Sequence, residues 1–288
     1  MIWNLGSINI DNFYEVPHLP AAGETLAAHS FGFGLGGKGA NMSVAAARAA
    51  ARVVHIGAVG GDGLWTRERL LEYGVDTPHI SDIEIPTGHA NIVVDQVGEN
   101  SIVLFQGANI CLTEAMIGAA LTEASPRDFL LMQNETNGQE YAATTAKSLG
   151  LRVAYAAAPF DATAVERILG QIDLLVLNEI EATQLEEAMG VAIEALGIPD
   201  VVVTLGANGC KWVSNKVEIH FEAYPAEAID TTGAGDTFTG YLVASLDRGM
   251  EIEQAIDLAL KAGSLMVTRR GTADVIPDLK DIQDQFDT

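Results

Sequence analysis

Ile229-Asp230-Thr231-Thr232-Gly233-Ala234-Gly235-Asp236-Thr237-Phe238 reads as a glycine-rich turn that opens a helix. Phe238, Tyr241, Leu242 and Ser245 follow the i, i+3, i+4, i+7 spacing of a face turned toward a core. Gly233, Ala234 and Gly235 then present free backbone N–H groups at a helix N-terminus, and their small side chains leave room for a phosphate. Asp236 falls in the first turn. A carboxylate there can simply offset the helix dipole. Beside an anion site it also offers a general base, and phosphoryl transfer requires both.

Upstream of that turn, short β-branched runs alternate with Ala/Leu/Glu-rich segments. Val53–Ile56, Phe129–Met132, Arg152–Tyr155, Leu174–Leu177 and Val201–Thr204 read as strands buried on both faces. Helices are expected over Asn41–Ala51, Leu64–Tyr73, Thr113–Ala124, Gln139–Leu149, Thr163–Leu169 and Glu181–Met189. The alternation predicts an α/β fold, a mostly parallel sheet with helices on both faces. Ligands of such a sheet sit at the carboxyl ends of its strands. Two regions, about 10–35 and 85–106, alternate with period 2 instead. Gly98-Glu99-Asn100 separates Ala90–Val97 from Ser101–Phe105 as a hairpin turn would. These strands form either a small separate sheet, a lid, or an extended edge of the main sheet. Trp212–Val217 and Val217–Phe221 suggest another hairpin before two closing helices. No repeat or linker interrupts the chain, so 1–288 reads as one domain with the lid inserted.

The 288 residues carry 39 Asp+Glu against 16 Lys+Arg, a formal charge of −23. Neutralising phosphates along nucleic acid needs clustered cations, and so does docking on anionic lipid; the balance argues against both. The start, Met1-Ile2-Trp3-Asn4-Leu5-Gly6-Ser7, lacks a basic segment followed by an apolar one, and no run approaches ~18 apolar residues. A cytoplasmic setting is expected. Cys111 and Cys210 are too few for a disulfide framework and belong to no His- or Cys-rich cluster; they read as buried, inert thiols.

A second glycine-rich segment, Gly32-Phe33-Gly34-Leu35-Gly36-Gly37-Lys38-Gly39-Ala40-Asn41, contains G-x-G-x-x-G. As a dinucleotide fingerprint it stands too far from the first strand, and residues 53–59 end without the acidic residue that grips a ribose. As a P-loop it has Gly39 where Ser or Thr would meet magnesium. It does bring backbone close to a ligand at a helix start, with Lys38 beside it.

Together the two segments resemble the signature motifs of the ribokinase family, the phosphofructokinase-B-type sugar kinases. Gly6-Ser7-Ile8-Asn9-Ile10-Asp11 resembles the family's opening strand, Gly36–Asn41 its first signature and Asp230–Phe238 its second. Asn178-Glu179-Ile180-Glu181 is similar to its Asn-x-x-Glu motif, and Thr204-Leu205-Gly206-Ala207-Asn208-Gly209 to its nucleotide-binding turn. The five occur in the family's order across nearly the whole chain.

The resemblance implies a ribokinase-like three-layer sandwich with a β lid, using ATP, Mg²⁺ and, in many members, K⁺. It implies phosphorylation of a sugar, D-ribose at O5 first among candidates. Asn9, Asp11, Gly37, Lys38, Asn41 and Glu135 match residues that hold ribose hydroxyls. Asp236 matches the base, and Gly233, Ala234 and Gly235 the anion hole. Asn178, Thr204, Gly206, Gly209 and Gly235 match nucleotide contacts, and Glu181 an indirect magnesium network. Asp230, Thr232, Arg269 and Gly271 match a monovalent-cation loop. The chain departs from the pattern at Ala156-Ala157, where the family has Asn-Pro, and at Val275, which replaces a cation-loop Ser. His89 and Asn91, in the lid hairpin, lie where they could touch sugar.

Other kinases of this family act on nucleosides, ketodeoxygluconate or fructose phosphates. A nucleoside kinase is the alternative, with Phe31, Phe33 and His89 as the discriminating lid residues. A nicotinamide-dependent oxidoreductase would rest on G-x-G-x-x-G alone, and a sugar-binding regulator would have to lack chemistry despite Asp236, Lys38 and Asn178. A two-stranded lid cannot bury both its faces, so the chain is expected to form a homodimer through it.

Overall fold

The computed structural model describes residues 1–215 and 217–286. Lys216, inside the expected strand Trp212–Val217, lies outside the described residues, as do Asp287 and Thr288 at the end of the expected 1–288 domain. The first third of the chain runs β1 (Ile2–Leu5), β2 (Asn9–Glu15), β3 (Ser30–Gly36), α1 (Lys38–Arg48), β4 (Val53–Val59), α2 (Leu64–Glu72), β5 (Asp76–Asp82), β6 (Gly88–Val94) and β7 (Asn100–Phe105). The middle runs α3 (Glu114–Leu121), β8 (Phe129–Met132), α4 (Gln139–Ser148), β9 (Arg152–Ala156), α5 (Ala162–Ile168), β10 (Leu174–Asn178), α6 (Glu179–Met189) and β11 (Asp200–Thr204). The last part comprises β12 (Cys210–Ser214), β13 (Val217–Phe221), α7 (Ala234–Asp247), α8 (Ile252–Met266) and α9 (Leu279–Phe286).

Nine strands pair in the order β13-β12-β11-β10-β9-β8-β1-β4-β5. Pairing is parallel from β5 through β11 and antiparallel at β12 and β13. Alternate strand residues face opposite sides. Ile2, Leu131, Ala154 and Val202 pack with α1, α7 and α8, whereas Trp3, Leu130, Val153 and Val201 pack with α3, α4, α5 and α6. Both faces of the parallel strands are therefore dry, as their continuous β-branched runs require. Among the described residues, no helix is long and apolar enough to cross a membrane.

The period-2 regions form a separate four-stranded sheet, β3-β2-β6-β7. Of the two readings left open, the lid is the one adopted. Asn9 and Asp11 open β2 of this sheet rather than extending the first strand of the core, which ends at Leu5. Four readings are corrected. Helix α1 begins at Lys38, not Asn41, because Gly37 takes φ +94° as its N-cap. The edge strand β5 was not expected, and three helices, not two, close the chain. Cys210 is buried, and burial pushes its thiol up to about 12, but Cys111 is half-exposed.

Candidate active site

The floor of the site is a close approach of two backbone segments. A Cβ on Gly39 would lie 2.3 Å from the Gly6 Cα, and one on Gly37 would lie 2.9 Å from the Ser7 carbonyl oxygen. Only glycine lets α1 start against the loop after β1. A buried polar chain holds this contact from below. Asn4 Nδ2 donates to the Gly39 carbonyl and to Ser43 Oγ, each at 2.8 Å. Ser43 Oγ pairs with His55 Nδ1 at 2.8 Å, and His55 Nε2 with the Gly6 carbonyl at 3.0 Å. Burial lowers His55 to about 4, partly offset by its bond to Gly6, so the ring is neutral. With Nε2–H donating to Gly6, Nδ1 accepts from Ser43.

Polar groups converge above that floor. Ser7 Oγ donates to Glu135 Oε2 at 2.5 Å, and the Lys38 amide donates to the same oxygen at 3.0 Å. Asn41 Nδ2 donates to Asp236 Oδ2 at 2.9 Å, joining α1 to α7. Asn41 Oδ1 is buried with no partner among the described residues. Asp11 leans over Gly36, where a Cβ would lie 1.9 Å from its Oδ2, so the facing lid strand needs glycine there.

Electrostatics couple these groups. Burial pushes the Asp236 carboxyl up, while the Lys38 charge and the Asn41 bond pull it back. The Lys38 ammonium is raised chiefly by Asp236, against its own burial, with help from Glu135 and Glu181. It stays charged. Burial, then Glu135 and Asp236, push Asp11 up to about 7.

Gly233 takes φ +72° as the N-cap of α7. Of the expected anion-hole residues, Ala234 spends its amide on the Thr231 carbonyl at 3.3 Å; the amides of Gly235 and, beyond the expected set, Asp236 have no hydrogen-bond partner among the described residues, and nothing lies within 4 Å of where a Gly235 Cβ would stand. Two unpaired donors at a helix N-terminus beside a buried carboxylate have the chemistry to hold an anion next to a proton acceptor.

The expected nucleotide residues lie at neighbouring carboxyl ends: Asn178 ends β10, Thr204 ends β11, and the two are in register. Gly206 and Gly209 have φ +58° and +88°, and a Cβ on Gly209 would fall 1.9 Å from the Phe221 carbonyl oxygen. Asn178 and Glu181 cap α6 reciprocally: Asn178 Oδ1 accepts from the Glu181 amide at 2.9 Å, and Glu181 Oε2 from the Asn178 amide at 2.8 Å. The Asn-x-x-Glu spacing is thus also a capping box.

In the expected cation loop, Asp230 accepts from the Thr232 amide at 2.9 Å and the Gly271 amide at 3.3 Å. Arg269 donates to the Val275 carbonyl at 3.0 Å and to Asp281 at 3.1 Å. The Val275 methyls lie 3.5 Å from where a Gly271 Cβ would stand. Each Asp230 oxygen accepts one amide and Val275 adds no side-chain oxygen, so a potassium ion here would rest largely on backbone carbonyls. Among the described residues, no three His, Cys, Asp or Glu side chains converge on a metal position.

His89 packs against Phe105 with tilted rings, centroids 5.1 Å apart, and Asn91 accepts from Asn12 Nδ2 at 3.2 Å, so both contribute to the lid's own packing. Sequence reasoning passed over Ser7 and Asn109, whose side chains hold Glu135 and Asn9. Ser7 sat inside a quoted motif, but nothing marked Asn109.

The description "pfkB family carbohydrate kinase" fits residues 1–279. The ribokinase of Haemophilus influenzae is 38% identical, over 95% of this chain and 94% of that protein. The crystal structure of Thermotoga maritima ribokinase superposes with a TM-score of 0.89 at 30% identity, covering 100% of this chain and 99% of that one. Arabidopsis thaliana ribokinase complexed with ribose and ATP gives a TM-score of 0.85 at 28% identity, covering 98% and 97%.

Proposed function

The chain belongs to the pfkB family of carbohydrate kinases, and from that premise we propose that it transfers the γ-phosphoryl group of ATP to the 5-hydroxyl of D-ribose. The observation that carries this reading is the meeting of Asp236, Asn41 and Lys38 at the open N-terminus of α7. In this reading Asn9, Asp11, Gly37, Lys38, Asn41 and Glu135 hold the sugar, supplying the mixture of carboxylates and donors that vicinal hydroxyls demand. Asn178, Thr204, Gly206, Gly209 and Gly235 face the nucleotide. Magnesium, when bound, neutralises phosphate charge.

Asp236 accepts the proton of the attacking hydroxyl. Asn41 holds its Oδ2, and the Lys38 charge opposes the rise that burial imposes on the carboxyl. The amides of Gly235 and Asp236 receive charge that develops on the moving phosphoryl group, and the α7 dipole adds to them. No step is assigned to a potassium ion. The exposed lid strands support a homodimer in which two lids meet, closing water out of the site.

Replacing the base tests the assignment. Asp236→Asn should lose about 10²–10⁴ in kcat while calorimetric ribose affinity changes little. A variant with near-normal kcat would remove Asp236 from the role.

A further inference from the structure

We propose that Asn109 is a positioning residue that fixes which end of the Asn9 amide meets the sugar. This rests on the ribose-kinase reading and adds a residue that the signature motifs do not contain. Asn109 sits in the short 3₁₀ turn Gly107–Ile110, where the chain leaves the lid, and is 2% exposed. Its side chain engages the other lid junction three times. Oδ1 accepts from the Ile8 amide at 2.9 Å, while Nδ2 donates to the Ile8 carbonyl at 3.2 Å and to Asn9 Oδ1 at 2.8 Å.

The bonds to Ile8 define the Asn109 amide: its oxygen must face an N–H and its nitrogen a carbonyl. Nδ2 is thereby aimed at Asn9, which must answer with oxygen. Asn9 Nδ2, with no partner among the described residues, is left as a donor toward the site. The pair lies across Gly88, the first residue of β6, where a Cβ would stand 2.2 Å from Asn109 Nδ2 and 2.5 Å from Asn9 Oδ1. Donor polarity at Asn9 complements Asp11 and Glu135, which can only accept when ionised. A diol bound between them then finds an acceptor and a donor in fixed places, so the orientation bears on sugar affinity and not on phosphoryl transfer.

Asn109→Asp keeps the size and the bond from the Ile8 amide but replaces both donations with oxygen. The Asn9 amide should turn to donate inward and show oxygen to the sugar. We expect ribose KM to rise about tenfold, the worth of one mispaired hydrogen bond. The kcat and the ATP KM should stay within about twofold. In an Asn9→Ala background the same substitution should raise ribose KM no further, whereas a general structural role would add its cost there. A further rise in that background, or a fall in kcat at unchanged ribose KM, would overturn the proposal. Should Asn109→Asp fail to fold, Asn109→Ala decides: it removes the bond that aims Asn9 and adds no buried charge. It should raise ribose KM severalfold in the wild-type background and no further in Asn9→Ala, and an unchanged ribose KM would overturn the assignment. Wild-type protein that does not turn over ribose would instead fault the substrate, not Asn109.

Discussion

Asp11 makes the stability of the site depend on pH. Its carboxyl is pushed up to about 7 in the folded chain, by burial and then by Glu135 and Asp236. Unfolded, it would ionise near about 4. Between those values the folded chain holds a proton that the unfolded chain has lost, so this group's contribution to stability falls as pH rises. Asp11→Asn should therefore melt above the wild type at about pH 8, with the gap closing toward about pH 4, in thermal scans without sugar. A gap that widened on acidification would contradict the placement. Lys38 works in the opposite sense on Asp236, holding its raised carboxyl down. Lys38→Met should move the acid limb of the kcat/KM profile to higher pH, and an unmoved limb would show that the two charges do not interact.

Helices α1 and α7 carry the two halves of the chemistry, and Gly240 lets them touch. A Cβ there would lie 2.5 Å from Ala45 Cβ and 2.7 Å from the Met42 carbonyl oxygen. Gly240→Ala should cost about 1–3 kcal/mol by overpacking, read from urea unfolding, and lower kcat by stretching the Asn41–Asp236 bond. At this scale the sequence was legible wherever periodicity or glycine spacing reported a physical need. The buried parallel strands, most helices and both glycine-rich helix starts were readable for that reason. Strand β5 was not: Asp76-Thr77-Pro78-His79 carries a proline and polar groups that only an edge position tolerates. The lid could not be told from an edge of the main sheet, because alternation is the same in both and only pairing separates them. Of the site, the charged and glycine positions were visible. Asn109 was not, since its role lies in three bonds to residues about a hundred positions away.

Viewed whole, the molecule carries a cluster of exposed apolar side chains on its lid. On the lid, Phe31 and Phe33 are 57% and 62% exposed on β3, and Val103 is 66% exposed on β7, with Ile102, Leu104 and Phe105 beside it. A small sheet with apolar groups on both faces of its edge strand needs covering, and the proposed second lid would supply it. Val103→Glu should shift the proposed dimer to monomer in sedimentation, at unchanged melting of the core; a wild type already monomeric at micromolar concentration would defeat the dimer. The central claim is catalytic, and ADP release from MgATP tests it most directly. The acceptor panel is ribose, deoxyribose, ribulose, fructose, ketodeoxygluconate, adenosine, inosine and cytidine. The account predicts strong release with ribose and ribose 5-phosphate as product. Release driven by a nucleoside instead, or silence across the panel, would contradict it.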